Sequence, residues 1–340
     1  MVKEKIRILI RSPNWLGDAV MALPFLENLR TFYPNSYMAI WCRPYLIDLF
    51  RAYKGIDEIV ICPESLRDLL SVSFKLRKRF DMCFLLPNSF SSALFAFLGH
   101  IPDRIGYRAD GRGILLTKGI KPKRDVHQID YYLNLLSILG FKPFYCTPRL
   151  NILADGEAEK ERLKRRFRWG ERPIIFIPGA AYGPAKCWPA EKFASLAKKI
   201  KGKDILILGS IKDRPIAKKI IGLTPNVSHI FDLTGLTSLS SAMAIIKDSS
   251  IVITNDSGLM HVTAALDCPQ IAIFGPTNPK RTSPYGDKTE IVYHPVPCSP
   301  CKHRVCPKDH ACMKAITVEE VYERIIKVRG QYGGLSCQRV

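Results

Sequence analysis

Several short stretches of this chain combine an apolar lead-in, a turn of small or polar residues and a side chain able to do chemistry. The richest reads Thr254-Asn255-Asp256-Ser257-Gly258-Leu259-Met260-His261. The run Ile251-Val252-Ile253 before it has the character of a buried parallel strand, and a helical pattern begins at Leu259. Strand, Gly-containing turn and helix N-terminus together place polar groups at the carboxyl edge of an α/β sheet, where ligands bind. The first backbone N–H groups of such a helix point at any anion placed there. Asp256 reads either as a helix cap or as a contact to a sugar hydroxyl, while Ser257 and the Gly258 N–H suit phosphate oxygens. His261 suits a buried core position as well as a ligand contact.

A second stretch is Asn14-Trp15-Leu16-Gly17-Asp18-Ala19-Val20-Met21. Gly17 permits a tight turn, and Asp18 then stands at a helix N-terminus, as a cap or as a general base for an alcohol. A third runs from Pro178-Gly179-Ala180 through Tyr182-Gly183-Pro184-Ala185-Lys186 to Trp188-Pro189. Its small residues allow a ligand close to the backbone. Lys186 is either a point charge for a phosphate or a solvated surface lysine. Neither stretch is a dinucleotide fingerprint or a P-loop. A fourth, from Phe274-Gly275-Pro276-Thr277 to Gly286, is rich in turn formers; its Arg281 reads as a solvated loop charge with an anion within reach.

Cys298, Cys301, Cys306 and Cys312 follow a C-x2-C-x4-C-x5-C spacing. Four thiols in so short a span suit a structural zinc or, in an oxidising compartment, two disulfides. No coordination position is left for catalysis. The other seven cysteines, Cys337 among them, are scattered and read as small apolar residues.

These stretches need a scaffold of alternating strands and helices. Strand-like runs fall at residues 6–10, 37–42, 58–62, 82–86 and 104–107, with helical patterns at 19–32, 45–52, 66–78, 91–98 and 128–139. The pattern resets near residue 150. Strands at 174–177, 204–208, 229–231, 251–254 and 270–274 then alternate with helices at 157–167, 190–200, 215–222, 239–247 and 261–266. The predicted architecture is α/β, with two Rossmann-like domains whose parallel sheets face a central cleft. The expected boundaries are residues 1–150, 151–317, and a C-terminal helix and tail at 318–340 whose helix crosses back to the first domain.

A chain of 340 residues with 47% hydrophobic and 24% charged residues has material for two such cores. No apolar run reaches the roughly 18 residues that span a bilayer. The chain enters a strand-like run at Ile6, so no signal peptide is expected and a cytoplasmic location is. The net charge of +20 splits into +9 for residues 1–150 and +11 for the remainder. A spread excess suits an anionic small molecule, an anionic lipid surface or nucleic acid. No zinc-finger, basic-zipper or aromatic RNA-binding signature accompanies it, so a nucleic-acid partner is not expected.

Taken together and in this order, the stretches resemble glycosyltransferase family 9, the ADP-heptose:lipopolysaccharide heptosyltransferases, and most of all its type II subgroup. The resemblance rests on Asn14 to Asp18 with Met21 and Pro24, on Pro178–Pro189, on Thr254–His261, on Phe274–Thr277 and on the Cys298–Met313 cluster. It implies a GT-B fold, a donor site on the C-terminal domain, an acceptor site on the N-terminal one, and inverting transfer that needs no divalent metal. Heptose from ADP-heptose passes to the heptosyl-Kdo-lipid A inner core, at the cytoplasmic face of the inner membrane by peripheral contact. By the same resemblance Asp18 is the base, Lys186 neutralises the diphosphate, Asp256 holds the heptose or its loop, and Ser257 and Gly258 supply donors. Asp213 meets the ribose, Thr237 lies near the adenine, and Arg11 and Asn14 face the acceptor. Ala181-Tyr182 replaces the hydroxyl side chains that type I members carry beside the phosphates. A relative using another nucleotide sugar or heptosyl acceptor is the nearest alternative, and a non-catalytic nucleotide-sugar or nucleic-acid binding protein is the alternative of another class.

Overall fold

Five short strand-like runs in each half of the chain carry the apolar residue types that parallel sheets require. The structure, a computed structural model, describes residues 5–62, 66–123 and 125–332. Cys337, the end of the expected tail and the first four residues lie outside the described residues. The chain divides into two compact units, Met1–Pro148 and Arg149–Val340.

In the first unit the strands are β1 (Arg7–Arg11), β2 (Tyr37–Cys42), β3 (Glu58–Ile61), β4 (Met82–Leu85), β5 (Asp103–Tyr107) and β6 (Lys118–Ile120). All pair in parallel, in the order β3-β2-β1-β4-β5-β6. The second unit repeats the plan with β7 (Ile174–Ile177), β8 (Ile205–Ile207), β9 (Ile230–Asp232), β10 (Ile251–Asn255), β11 (Gln270–Phe274) and β12 (Thr289–Tyr293). Its order is β12-β11-β10-β7-β8-β9, again all parallel. Numbered within its own unit, each sheet has the doubly wound 3-2-1-4-5-6 order. Each therefore reverses direction once, between β1 and β4 in the first unit and between β7 and β10 in the second. Connections leave these neighbouring strands toward opposite faces and open a crevice at their carboxyl ends.

The central strands hold the core. β1, β4, β7, β10 and β11 are buried almost throughout. In the second unit Ile174, Phe176, Ile251, Ile253, Ile271 and Ile273 pack against Phe193, Leu196, Ala197 and Trp188 from the connection after β7. Each such fully buried large side chain contributes about 1.5–3 kcal/mol. The strand ends are thus rigidly placed, and so are the turns that leave them.

Several elements differ from the sequence expectation. The first long helix is two, Leu16–Met21 and Leu23–Phe32, since Pro24 near the start of the second restarts the ladder after Ala22. Residues 45–52 become a 3-10 turn, Pro44–Leu46, leading into the helix Ile47–Arg51. The edge strands β6 and β12 were not expected. Lys-Gly-Ile and Thr-Glu-Ile-Val-Tyr are half-exposed and lack the apolar run that marks a central strand. The C-terminal helix, Val318–Tyr332, turns its apolar face to the second unit. Val321, Ile325 and Val328 are buried in the core of the second, with the helix packed on Ala190–Lys199, β11 and β12. Arg324 and Lys327 add ion pairs to Glu290 of β12.

Candidate active site

Of the two strands flanking the crevice of the second sheet, β7 ends in Ile177 and β10 in a polar residue. Asn255, the last residue of β10, is fully buried. Its amide donates to the Pro178 carbonyl at 2.6 Å, and its carbonyl oxygen accepts from the Trp188 backbone N–H at 3.0 Å. One side chain thus clamps both ends of the loop after β7. The fully buried Trp188 indole anchors that loop again, donating to the Ile316 carbonyl at 3.1 Å.

Asp256 follows immediately. Its backbone N–H donates to the Ile273 carbonyl of β11. Lys186 Nζ donates to Asp256 Oδ2 at 2.6 Å, and the Thr277 hydroxyl donates to the same oxygen at 2.6 Å. The Lys186 and Asp256 side chains are only 13% and 6% exposed. Three loops, after β7, β10 and β11, therefore meet on one carboxylate. Lys186 is not the solvated surface lysine, and Asp256 is not the helix cap. Thr277 went unassigned in the sequence because a threonine in a turn carries no signal of its own.

Ser257 is the N-cap residue of the helix Gly258–Ala265, yet its side chain makes no capping bond. Its hydroxyl lies 3.2 Å from that of Thr254. The leading N–H groups of this helix therefore receive no side-chain acceptor from their own cap, beside Lys186 and Asp256. His261, on the same helix, is buried at 5% exposure among core residues. Asp213 is half-buried in a capping box with Ser210, whose N–H and hydroxyl both bond its Oδ2 at 2.8 Å. Its other oxygen lies against Gly179: a Cβ there would come within 2.1 Å, so a side chain at 179 would have to push the Asp213 carboxylate aside. The Cys187 thiol is pushed up to about 11, by burial first and then by the Asp213 charge. Thr237 is half-buried in the turn before the helix Leu239–Lys247. Arg281 is half-buried in the short helix Pro279–Thr282.

The cysteine segment supports this wall. Ser299 donates its hydroxyl to the Gly275 carbonyl, and the Cys301 and Lys302 N–H groups both donate to the Pro276 carbonyl. The Tyr182 hydroxyl donates to the Lys302 carbonyl, and His310 Nε2 lies 2.7 Å from the Ala185 carbonyl. All four cysteines are free thiols, so the two-disulfide alternative does not hold. Among the described residues no group of three or more His, Cys, Asp or Glu side chains is arranged to hold a metal ion. Cys312 is buried at a helix start, where its sulfur would meet a Cβ on Gly275 at 3.2 Å, while the other three are half-buried on the loop. They remain near enough that their charges, after burial, raise the Cys312 thiol.

In the first unit the crevice lies between β1 and β4. Asp18 is half-buried in the first turn of Leu16–Met21. Burial, and next the Asp18 charge, push the buried Tyr132 hydroxyl well up. Arg11 is 5% exposed and donates to the Ser12 and Trp41 carbonyls and, at 2.6 Å, to Oδ1 of the exposed Asn14. Arg112, which no motif signalled, is fully buried with its fork on Pro87, Leu85, Tyr107, Ser92 and Asn88. Burial lowers it to about 10. It holds the turn after β4, from which Asn88 donates to the Tyr131 hydroxyl at 2.9 Å.

Residues 70–312 match the model of glycosyltransferase family 9 (heptosyltransferase). The chain belongs to that family. Lipooligosaccharide heptosyltransferase 2 of Haemophilus influenzae is 34% identical over 84% of this chain and 88% of its own length. Lipopolysaccharide heptosyltransferase 2 of Salmonella typhimurium is 31% identical over 96% of this chain and 100% of its own. Among solved structures, E. coli ADP-heptose lps heptosyltransferase II superposes with a TM-score of 0.84 at 28% identity, covering 97% of this chain and 100% of that one. The family fold is GT-B, and the paired doubly wound sheets are its two Rossmann-like parts. A family 9 transferase uses a sugar donor and an acceptor.

Proposed function

We propose that this protein is an inverting heptosyltransferase, moving L-glycero-D-manno-heptose from ADP-heptose to the heptosyl-Kdo-lipid A inner core of lipopolysaccharide. The observation that carries the reading is the buried Lys186–Asp256–Thr277 cluster beside an uncapped helix N-terminus. Inverting transfer forms one bond, from an acceptor oxygen to the anomeric carbon, and breaks another, from that carbon to the diphosphate oxygen. The acceptor proton passes to Asp18, and ADP departs with the bonding electrons. Lys186 and the N–H groups at Gly258 stabilise the charge that grows on the departing phosphate. Asp256, released from Lys186 when phosphate arrives, accepts from a heptose hydroxyl. Asp213 lies toward the nucleoside ribose, and Thr237 toward the base. These steps draw positive charge from protein groups, Lys186 and backbone dipoles among them, and need no divalent metal.

The acceptor side rests on Asp18 and Asn14, the latter held by Arg11. Among the described residues no helix is long and apolar enough to cross a membrane. The net charge of +20 suits peripheral contact with an anionic leaflet, where a lipid-linked acceptor is presented, on the cytoplasmic face of the inner membrane.

Mass-spectrometric detection of heptose transfer from ADP-heptose to a heptosylated inner-core acceptor tests the reading. Asp18→Asn is expected to bind ADP as the unmodified protein does and to lose at least about a hundredfold in transfer. Turnover with a UDP- or GDP-sugar and none with ADP-heptose would overturn the choice of donor. Undiminished turnover by Asp18→Asn would remove Asp18 as the base.

A further inference from the structure

Lys186 and Asp256 form a pair with no net charge, whereas a departing nucleoside diphosphate carries more than one negative charge. One lysine already matched to a carboxylate leaves most of that charge uncompensated in a partly desolvated crevice. If the donor is a nucleoside diphosphate sugar, as proposed above, the site calls for a second cation.

The cysteine segment delivers one. Arg304 lies between Cys301 and Cys306, and its guanidinium carbon stands 5.5 Å from the centroid of the Tyr182 ring. Lys186 Nζ stands 4.9 Å from the same centroid. The two cations therefore share one aromatic ring, whose quadrupole holds both and stops either from folding away. The backbone of Arg304 is tied to the same turn. Its carbonyl accepts from the Ala185 N–H at 3.0 Å, and a Cβ on Gly183 would meet that carbonyl oxygen at 2.3 Å. Gly183 is thus the residue that lets the Arg304 backbone approach. The Tyr182 hydroxyl, bonded to the Lys302 carbonyl, closes the contact on the other side. Among the described residues no carboxylate pairs with Arg304, and its side chain is exposed.

We propose that Arg304 is a donor-binding residue, a second cation that takes the diphosphate together with Lys186, with the Tyr182 ring as their common platform. A guanidinium fork matches two phosphate oxygens at once, which the lysine cannot do. The cysteine segment then has a function independent of any metal: it carries Arg304 to the crevice.

Calorimetric titration of the full-length protein with ADP and with adenosine tests this. Arg304→Ala is expected to weaken ADP about tenfold, as the loss of a charge-assisted phosphate contact does, and to leave adenosine within twofold. Arg304→Lys should lie between. Tyr182→Leu should weaken ADP about as much as Arg304→Ala, while Tyr182→Phe, which keeps the ring, should weaken it by less than half as much. ADP affinity unchanged in Arg304→Ala overturns the proposal, and so does equal weakening of ADP and adenosine, which reports a displaced loop. If the unmodified protein binds adenosine and ADP equally or binds no ADP, the donor reading itself falls and this inference with it.

Discussion

Replacing Lys186 by methionine separates the structural work of its ion pair from its work on a ligand. In the resting protein the ammonium and the Asp256 carboxylate are 2.6 Å apart and almost excluded from water. Unit charges about 4 Å apart attract by about 4 kcal/mol at an effective dielectric constant near 20, and desolvation offsets part of that. Removal of one partner leaves the other buried with its charge unmatched, at a cost of about 3–5 kcal/mol. Asp256 keeps the Thr277 hydroxyl as a partner, so the lower end applies to Lys186→Met, about 3 kcal/mol. Asp256→Asn is milder, about 1–2 kcal/mol, because Lys186 has a partial path to solvent. The double variant removes both charges and should cost less than the sum of the singles by about 2 kcal/mol. Urea denaturation of the four proteins closes the cycle. ADP titration of the same proteins reads the ligand side. Asp256→Asn should bind ADP at least as tightly as the unmodified protein, since the lysine is released from its carboxylate, yet transfer heptose poorly. Additive stabilities within about 0.5 kcal/mol would refute the coupled pair. Weaker ADP binding by Asp256→Asn would refute the competition between carboxylate and phosphate for Lys186.

Asn255→Ala strands the Trp188 N–H and the Pro178 carbonyl in the core and should destabilise the second unit by about 2–4 kcal/mol, read as a lower urea midpoint. Arg112→Leu leaves five oxygen acceptors without their donor and should cost about 3 kcal/mol or more; a change under 1 kcal/mol would show that water replaces the guanidinium. Glu290 is held below the usual carboxylate range, first by its bond to Lys327 and then by Arg324. A depressed carboxylate contributes stability above its unfolded value and loses it as pH falls through the folded one, so Glu290→Gln should lower Tm at pH 7 and by much less near pH 3. Burial pushes the Cys42 and Cys83 thiols up to about 12, so neither should alkylate in the native protein at pH 8, while the half-buried Cys301 and Cys306 react.

Much of this protein was legible before any coordinates. Buried parallel strands need near-continuous apolar runs, so Ile174–Ile177, Ile251–Asn255 and Gln270–Phe274 declared themselves, and with them two doubly wound sheets. The turns at Asp18, Lys186 and Asp256 were marked because a strand, a small-residue turn and a helix in succession leave polar groups at a sheet's carboxyl edge. Other features depend on which distant segments meet, which local pattern does not encode. Thr277 joins Asp256 only because β10 and β11 are neighbours, and Arg11 turns inward only because Trp41 of β2 packs beside it. The apolar face of the C-terminal helix was legible in its spacing, but that it meets β11 and β12 depends on tertiary packing. The cysteine spacing was legible, while the packing of Cys312 beneath Gly275 depends on tertiary structure. Local chemistry is written in residue order, but the pairing of Lys186 with Asp256, and of Arg304 with Tyr182, required the chain to close loops of 70 and more than a hundred residues.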